Sequence, residues 1–380
     1  MSKPPSLFGG LATLLGAALR APFAGPASPL RWLALLLFLP PFVALQVVHW
    51  VALALDDLLF PAYRRVEVRE PLFVLGLPRS GTTTLHRILA RDEERFTTLR
   101  LWQLLFAPAI VERKALAALG AVDRAIGSPA LRTLRWIERR LTSWMDEVHP
   151  ISLDEPEEDY LFFLPLFAAF ILVLVAPRDP RLWRISRADR SPAEADRLVA
   201  FYRRCVQRHL YLEGGDRRLL SKNPSFTPFI EALDRAFPDA RFIGCVRAPS
   251  KVVASQLSSL ADGARLMGWR VEAPEHRDRI VAMLVFYARH LVETFDALPS
   301  DRRDTVILAQ WARDVPTGVS ELYRRFGWTV SPTYAEALDD EGQRSRSHRS
   351  RHRYALADFG LDDAEVDPLF AALLNRMESA

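Results

Sequence analysis

The segment from residue 72 to residue 84 constrains the fold more than any other part of the chain. It begins with the apolar run Leu72-Phe73-Val74-Leu75, continues through Gly76-Leu77-Pro78-Arg79-Ser80-Gly81, and ends in Thr82-Thr83-Thr84. Glycines permit a tight turn, and the first N–H groups of a helix that starts near Thr82 have no intrahelical partners. Such N–H groups favour an anion. The segment therefore predicts a strand, a phosphate-binding loop and a helix.

This loop differs from the nucleoside-triphosphate loop G-x-x-x-x-G-K-[ST] at one position. Gly76, Gly81 and Thr83 fit that spacing, but Thr82 stands where the lysine belongs. The difference argues against an ordinary kinase or ATPase. Arg79 supplies a cation inside the loop, and its planar guanidinium suits phosphate or sulfate oxygens. We therefore expect an anion site that needs no metal ion.

A second strand pattern covers residues 241–246 and ends at Arg247, and Ser255 lies two turns along the following helix. Taken alone, an arginine at a strand end is equally compatible with a solvated loop and with a second phosphate contact. Together with the first loop, it favours a phosphate contact.

Three blocks of the chain resemble the sulfotransferases that use 3′-phosphoadenosine 5′-phosphosulfate (PAPS), specifically the bacterial branch similar to protein-tyrosine and carbohydrate sulfotransferases. The blocks are Gly76-Leu77-Pro78-Arg79-Ser80-Gly81-Thr82-Thr83, then Ser221-Lys222-Asn223-Pro224 followed by Phe237-Pro238-Asp239-Ala240-Arg241-Phe242, and finally Arg247 with Ser255. The resemblance covers roughly Pro71 to Leu361.

The resemblance implies a role for each matching residue. The 5′-phosphosulfate would be held by Arg79, Ser80, Gly81, Thr82, Thr83 and Thr84. Lys222 would lie near the transferred group, so Arg79 and Lys222 would be catalytic, and Arg247 and Ser255 would bind the 3′-phosphate. PAPS would be the co-substrate, 3′-phosphoadenosine 5′-phosphate (PAP) the released product, and no metal would take part.

The general base departs from the family pattern. In relatives a glutamate that follows a tryptophan shortly after the loop helix is the usual base, but here that place reads Trp102-Gln103. An amide does not accept a proton at neutral pH. We therefore expect His149 to serve as the base, with Glu158, or its neighbour Glu157, as the second choice. The alternatives are that His149 packs beside Pro150 and that the acidic run 154–159 is a solvated face.

A basic, serine-rich run spans residues 344–353. Runs of this kind are usually solvated loops, but a late basic segment closes over the 3′-phosphate in the family. Arg351 is the first candidate for this contact, and both interpretations stay open.

Strand and helix patterns alternate along the chain. Strands are expected at 72–75, 219–221, 242–246 and 305–308, and helices at 82–90, 226–237, 250–260 and 316–326. Alternation predicts an α/β fold, here a P-loop-like three-layer fold with a central parallel sheet. Ligands bind beyond the carboxyl ends of such strands, where Arg79, Lys222 and Arg247 fall. We expect a sulfotransferase domain at 70–380 with a helical acceptor-site insert at about 100–215, preceded by a hydrophobic membrane-associating segment at 1–69.

Composition excludes several other classes. The chain has 380 residues, 49% of them apolar, and its 50 basic and 46 acidic residues give a net charge of only +4, so nucleic acid is not an expected partner. Cys205 and Cys245 form no C-x-x-C pair, and no H-E-x-x-H occurs. Neither a disulfide scaffold nor a zinc site is indicated, which suits a reducing compartment.

Residues 30–55 are nearly all apolar, interrupted by Arg31, Gln46 and His49. Pro40-Pro41 removes two backbone donors and should split this run into pieces of roughly ten and fourteen residues, each shorter than the ~20 that span a bilayer. We expect a bent, half-inserted hairpin or an interfacial anchor on the cytoplasmic face, since the donor is made in the cytosol. A single transmembrane span and a helical layer packed on the protein or on a partner subunit are the alternatives.

A second apolar run, residues 161–176, is too short to span a bilayer and predicts a helix near the acceptor site. This helix would either pack in the core or widen the apolar surface toward a membrane. The whole pattern predicts a peripheral or monotopic enzyme that moves a sulfuryl group from PAPS to a hydroxyl, or an amine, of a hydrophobic small molecule or lipid. A homo-oligomer stays open. The alternative functions are a P-loop phosphoryl transferase and a non-catalytic membrane scaffold that retains the fold.

Overall fold

The computed structural model describes residues 3–142, 152–186, 191–214, 216–311, 314–347 and 355–379. Its strands are β1 (Leu72–Gly76), β2 (Phe96–Thr97), β3 (Arg218–Lys222), β4 (Arg241–Val246) and β5 (Arg303–Ile307). Its α-helices are α1 (Leu7–Arg20), α2 (Pro29–Leu59), α3 (Thr82–Leu89), α4 (Leu101–Phe106), α5 (Ile110–Ala125), α6 (Pro129–Thr142), α7 (Pro180–Ile185), α8 (Pro192–Glu213), α9 (Ile230–Ala236), α10 (Pro249–Leu266), α11 (Pro274–Ala297), α12 (Leu308–Trp311), α13 (Val315–Arg325), α14 (Pro332–Ser347), α15 (Asp363–Val366) and α16 (Ala371–Ser379). His149 and Arg351 lie outside the described residues.

The five strands form one parallel sheet in the order β2-β3-β1-β4-β5. Strand β1 is therefore central, with β3 on one side and β4 on the other. In parallel strands the carboxyl ends share one edge of the sheet, so the residues after β1, β3 and β4 are neighbours. This topology brings Arg79, Lys222 and Arg247 to the same edge.

Alternation along β1 fills two separate cores. Phe73 and Leu75 pack with helices such as α8, α10 and α11 on one face of the sheet, whereas Leu72 and Val74 pack with α3 and α13 on the other. Because both faces are covered, every residue of β1 and all but the first of β4 are buried. The α/β three-layer architecture predicted from the sequence is confirmed.

Within the α/β core, the predicted strands and helices match the observed ones to within a few residues, with two differences. The two-residue edge strand β2 was not predicted, because so short a segment shows no periodicity. The helix expected at 226–237 divides into a 3₁₀-helix, Pro224–Phe229, and α9, and Pro228 lies inside the 3₁₀-helix. The proline removes a backbone donor, which accounts for the break.

The hairpin expected from Pro40-Pro41 is wrong, because α2 runs unbroken through both prolines. Leu36 and Leu37, whose carbonyls lose their helical donors, are exposed, so these carbonyls can be satisfied from outside the protein. Phe38 and Phe42 stack across the prolines at 5.3 Å, and Phe42 also packs edge-on against Phe167. Tertiary contacts thus outweigh the local propensity. Length and composition alone would allow α2 to cross a membrane.

Polar residues of α2 tie it to the body of the protein. Asp56 accepts hydrogen bonds from the backbone N–H groups of Ile110 and Val111, at 2.8 and 2.9 Å, and therefore caps α5. The same carboxylate pairs with the buried Arg208 of α8 at 2.9 Å. Residues of α1 and α2 also belong to the larger apolar core. The division of the chain near residue 70 stays a prediction.

The second apolar run forms two 3₁₀-helices, Asp159–Leu166 and Phe170–Val173, and not the expected single helix. Pro165 prevents a regular helix from continuing there. Phe162, Phe163, Leu172 and Val173 are fully buried. Of the two interpretations given to this run, core packing is the one that the structure supports.

Candidate active site

The loop after β1 depends on a glycine that no other residue can replace without strain. Gly76 has a φ of 132°, and a Cβ atom there would lie 2.3 Å from the backbone oxygen of Cys245 on β4. Its backbone is held by one hydroxyl, because Thr227 Oγ1 accepts from the Gly76 N–H at 3.0 Å and donates to the Gly76 carbonyl at 2.7 Å. These two hydrogen bonds fix the backbone of Gly76, where the loop begins.

The rest of the loop turns through two left-handed residues. Gly81 has a φ of 97° and Arg79 a φ of 69°, a conformation that costs a non-glycine residue free energy. Buried Ser80 stabilises the turn by donating its hydroxyl to the Leu77 carbonyl at 2.7 Å. Helix α3 then starts at Thr82, and no side chain caps its first N–H groups. The result is a backbone cradle for an anion.

Arg79, Arg247 and Ser255 meet beside this cradle. The Nε atom of Arg79 donates to Ser255 Oγ at 3.0 Å, and Nη1 of Arg247 donates one of its N–H groups to the Arg79 carbonyl oxygen at 3.0 Å. These two contacts hold the left-handed Arg79 from both its side chain and its backbone. Two guanidinium groups and a hydroxyl therefore lie together at the carboxyl end of β1 and β4.

Lys222, the last residue of β3, extends across the first turn of α3. Its Nζ atom lies 3.1 Å from a carboxylate oxygen of Glu157, 3.1 Å from one of Glu158, and 3.4 Å from Thr83 Oγ1. The lysine side chain is only 2% exposed. A buried ammonium thus connects the anion cradle to a pair of carboxylates.

Burial and charge act in opposite directions on this cluster. Burial would lower the pKa of Lys222, but the charges of Glu158 and Glu157 outweigh burial and raise it, so the lysine is an ammonium ion. Burial raises the pKa of Glu158, and the positive charge of Lys222 opposes that rise. Arg79 also lowers the pKa of Glu158, which shows that the loop arginine acts on the same carboxylate. Glu158 therefore has the properties of a general base whose strength depends on its cationic neighbours.

The residues on either side of Lys222 fix the acidic segment. Ser221 Oγ and Asn223 Nδ2 both donate to Oδ1 of Asp159, at 3.0 and 3.2 Å, and the Tyr202 hydroxyl donates to Oδ2 at 2.5 Å. Burial raises the pKa of Asp159 to about 6. This buried carboxylate holds the chain next to Glu158, so the Ser221-Lys222-Asn223 block both positions the acidic segment and contacts it.

The acidic segment also pairs with the start of α4. Glu157 N donates to the Leu99 carbonyl at 2.9 Å, and Leu101 N donates to the Glu155 carbonyl at 3.0 Å. Gln103 follows directly, and its Oε1 accepts from the Arg100 N–H at 2.9 Å, which caps α4. At the place where the family resemblance predicts a glutamate, this chain therefore has a capping amide, and the neighbouring segment contributes two carboxylates.

Among the predicted site residues, those from three separate blocks come together. Arg79, Arg247 and Ser255 form one group, and Lys222 and Glu158 form another beside Thr83. Ser80 and Thr82 are buried in the loop and helix start, Gly81 turns the chain between them, and Thr84 is exposed. The catalytic and donor-binding roles of these residues stay predictions. His149 and Arg351 were also predicted, and both lie outside the described residues.

Sequence reasoning missed two supporting residues. Thr227 and Asp159 carry no motif of their own, although their partners Gly76 and Ser221-Lys222-Asn223 belong to motifs. A third polar residue, His86 of α3, is buried with Nε2 at 3.0 Å from Thr98 Oγ1. Burial, followed by the charge of Lys222, lowers the pKa of His86 to about 3. Within the described ranges, no group of three His, Cys, Asp or Glu side chains could hold a metal ion.

Two solved structures share this fold. Sulfotransferase STF1 from Mycobacterium tuberculosis is 23% identical, with 96% of this chain and 92% of that chain covered and a TM-score of 0.71. Sulfotransferase STF9 from Mycobacterium avium is 18% identical, with 99% of this chain and 92% of that chain covered and a TM-score of 0.73. No curated protein matches the chain. The model of the sulfotransferase family matches residues 71–332, which is more than half of the sequence. The chain therefore belongs to the sulfotransferase family.

Proposed function

We propose that the protein transfers a sulfuryl group from PAPS to a hydroxyl, or an amine, of a hydrophobic small molecule or lipid. The observation that carries the proposal is the position of Lys222, whose Nζ contacts Thr83 at the anion cradle and the carboxylates of Glu157 and Glu158 on its other side. One residue thus links a site for the leaving phosphate to a site for the attacking group.

The donor fits the cations at this edge of the sheet. The N–H groups at the start of α3 and the guanidinium of Arg79 would hold the 5′-phosphosulfate. Arg247 and the Ser255 hydroxyl lie on the other side of Arg79 and would hold the 3′-phosphate. Donor and product are anions with several charged oxygens, which accounts for three cations gathered around one loop.

The transfer step follows from these positions. The acceptor oxygen attacks the sulfur and forms a new S–O bond, while the bond between the sulfur and the bridging oxygen of the 5′-phosphate breaks. The electron pair of that bond stays on the phosphate of PAP, where Lys222 and Arg79 stabilise the added charge. The acceptor proton passes to Glu158, so the products are a sulfate ester, PAP and a protonated carboxyl group.

Donor binding would also strengthen the base. Without an anionic ligand, the charge of Lys222 lowers the pKa of Glu158 and weakens it as a proton acceptor. When donor oxygens take part of that charge, the opposing effect of burial increases the pKa of Glu158. The carboxylate then accepts a proton more readily, at the moment when the acceptor needs to lose one.

The proposed acceptor class rests on the exposed apolar side chains of α1, of the turn after it and of α2, which include Leu19, Phe23, Leu36 and Leu37. A hydrophobic acceptor would approach from such a surface at lower cost than from water.

Calorimetric titration tests the donor assignment. We expect PAP to bind in the absence of magnesium, ATP to bind far more weakly, and added magnesium to leave the PAP affinity unchanged. Magnesium-dependent binding of ATP in preference to PAP would contradict the proposal and favour a phosphoryl transferase.

Incubation with PAPS and a lipid extract tests the transfer. We expect sulfated products that differ from their precursors by one SO₃ group, detected by mass spectrometry. The matched control is Lys222→Ala, which should still fold but should yield far less product. PAP binding without any product from a broad set of acceptors would favour a non-catalytic protein.

A further inference from the structure

We propose that the outer face of α1 and α2 docks on an anionic bilayer and lies in its interface without crossing it. This inference goes beyond the transfer reaction and is tested without it. Three features support the proposal. The outer side of α2 is an apolar stripe, its inner side is hydrogen-bonded to the protein, and the region has an excess of positive charge. The hydrogen bonds argue against a transmembrane span, and the charge argues against a second copy of the chain.

The outer side of α2 is apolar along its whole length. Exposed residues recur every three or four positions, which places them on one side of the helix, namely Leu30, Leu33, Leu37, Pro41, Ala44, Val48, Val51, Leu55 and Leu58. At about 1.5 Å per residue, this helix of 31 residues is roughly 45 Å long. Phe8, Leu19 and Phe23 extend the apolar surface onto α1 and the turn that follows it. So large an exposed apolar surface is unusual for a soluble monomer.

The inner side of α2 is bonded to the protein, which argues against a transmembrane span. Buried Arg31 donates to the carbonyls of Pro22, Ala21 and Val175. His49 Nδ1 lies 2.6 Å from Glu112 Oε1, and Trp50 Nε1 donates to the Pro165 carbonyl at 2.9 Å. Insertion of α2 across a bilayer would break these contacts and expose their polar groups to hydrocarbon. If α2 stays packed on the protein, only its outer, apolar side can contact a bilayer.

The charge of this region favours an anionic surface. No Asp or Glu precedes Asp56 in the sequence, whereas Lys3 and Arg20 are exposed. Burial lowers the pKa of Arg181, and the charge of Arg20 contributes further to this shift, so the two cations are neighbours. The nearby carboxylates are engaged, since Asp179 caps α7 and Glu275 lies 3.8 Å from Arg178. Exposed cations beside an apolar surface attract anionic lipids.

The same charge argues against a second copy of the chain as the occupant. In a symmetric dimer the same patch would face itself, so the exposed cations would meet like charges without carboxylates from this segment. An aromatic pair marks the cationic end of the stripe, where Phe23 packs edge-on against Trp32 with ring centroids 6.3 Å apart. Tryptophan is enriched at bilayer interfaces, where its ring lies at the headgroup level.

Vesicle flotation with the full chain tests the proposal. The probes are vesicles of phosphatidylcholine alone and vesicles with phosphatidylglycerol as the anionic lipid. We expect the wild type to float with the anionic vesicles and much less with the neutral ones. Leu33→Asp combined with Leu37→Asp should reduce the bound fraction roughly tenfold or more, because two apolar contacts are lost and two like charges are added. Arg20→Glu should weaken binding to anionic vesicles only.

The matched control is Leu369→Asp. Leu369 is 51% exposed, against 53% for Leu33, and it lies in the 3₁₀-helix Asp367–Phe370, which is not part of α1 or α2. This variant should float like the wild type. PAP binding should be unchanged in all variants, which separates a failure here from a failure of the proposed transfer. The proposal is overturned if neither vesicle binds, if Leu369→Asp is as damaging as the stripe variant, or if light scattering shows a dimer that the stripe variant dissociates.

Discussion

The Nζ atom of Lys222 lies 3.1 Å from Oε1 of Glu158, although the two residues are 64 positions apart in the sequence. Because Lys222 lowers the pKa that burial raises in Glu158, we expect this carboxylate to act as a base whose strength depends on the proposed donor site. Glu158→Gln should therefore reduce kcat by about a hundredfold or more, since the amide accepts no proton. Steady-state kinetics at saturating PAPS measures this effect.

The pH dependence of kcat distinguishes Glu158 from Glu157 as the general base. In the wild type, kcat should fall as the pH decreases through the raised pKa of Glu158, because the protonated carboxyl group cannot act as a base. The Glu158→Gln variant should lose this acidic limb, and Glu157→Gln should keep it. If Glu157→Gln removes the limb and Glu158→Gln does not, then Glu157 is the base.

Lys222→Ala should reduce kcat by on the order of a hundredfold or more, because the ammonium stabilises charge that develops on the leaving phosphate. The effect on PAP affinity should be smaller than the effect on kcat. Lys114→Ala, which removes an exposed lysine of α5 that packs over Phe60, is the control and should leave kcat unchanged. Equal losses in kcat and in PAP affinity would indicate that Lys222 only binds the donor.

Arg247→Ala should weaken PAP by roughly ten- to a hundredfold, the range expected for loss of a hydrogen bond to a charged group. ADP lacks the 3′-phosphate, so its weaker binding should hardly change. Calorimetry with both nucleotides gives the comparison. Arg265→Ala removes an exposed arginine from the end of α10, the helix that follows Arg247, and should affect neither ligand. A similar loss for PAP and ADP would place Arg247 away from the 3′-phosphate.

Gly76→Ala should destabilise the fold by about 3 kcal/mol or more, because a Cβ atom would lie 2.3 Å from the Cys245 carbonyl oxygen at a positive φ. Gly127→Ala provides the matched control. Gly127 also has a positive φ, 87°, but a Cβ atom there meets nothing within 4 Å, so the cost should be about 1 kcal/mol. Urea unfolding of both variants measures the difference, and equal costs would show that the contact with β4 relaxes freely.

Asp159 should make the protein less stable as the pH rises from about 4 to above 6. Its pKa is about 6 in the folded protein, above the ordinary 3.8, so the stabilising proton is fully bound below the ordinary value and is lost through the folded value. The full effect is on the order of 3 kcal/mol. Asp159→Asn should remove this part of the pH dependence. The measurement is the free energy of unfolding of both proteins across that pH range, and parallel curves would contradict the assignment.

The sequence predicted the sheet because strands and helices alternate in local patterns. The strands that end at Gly76 and Lys222 are parallel neighbours, and this topology brings Arg79, Lys222 and Arg247 to one edge, as expected. The continuity of α2 could not be predicted, since it depends on Phe42 packing against Phe167, a contact between distant segments. Local propensity alone predicts that Pro40-Pro41 interrupts the helix, and only the tertiary contact keeps the helix continuous.

The acidic run at residues 154–159 also depends on contacts between distant segments, which the local sequence does not reveal. Asp159 ends a run of acidic residues that begins at residue 154, so nothing in the local sequence distinguishes a solvated carboxylate from a buried one. Its burial depends on Tyr202, Ser221 and Asn223, which are 43 to 64 positions away. The departure at Gln103 was visible in the sequence, but its role as the cap of α4 was not.

Asp56 both caps α5 and pairs with Arg208, and this limits how the protein can be shortened for crystallography. A fragment that begins at residue 70 would retain every residue of the proposed donor site, yet it would lose the carboxylate that neutralises Arg208 and completes the start of α5. An uncompensated guanidinium would then remain inside α8, next to a frayed helix. The region before residue 70 is therefore needed for the packing of α5 and α8, and a shortened fragment should be designed with Asp56 included.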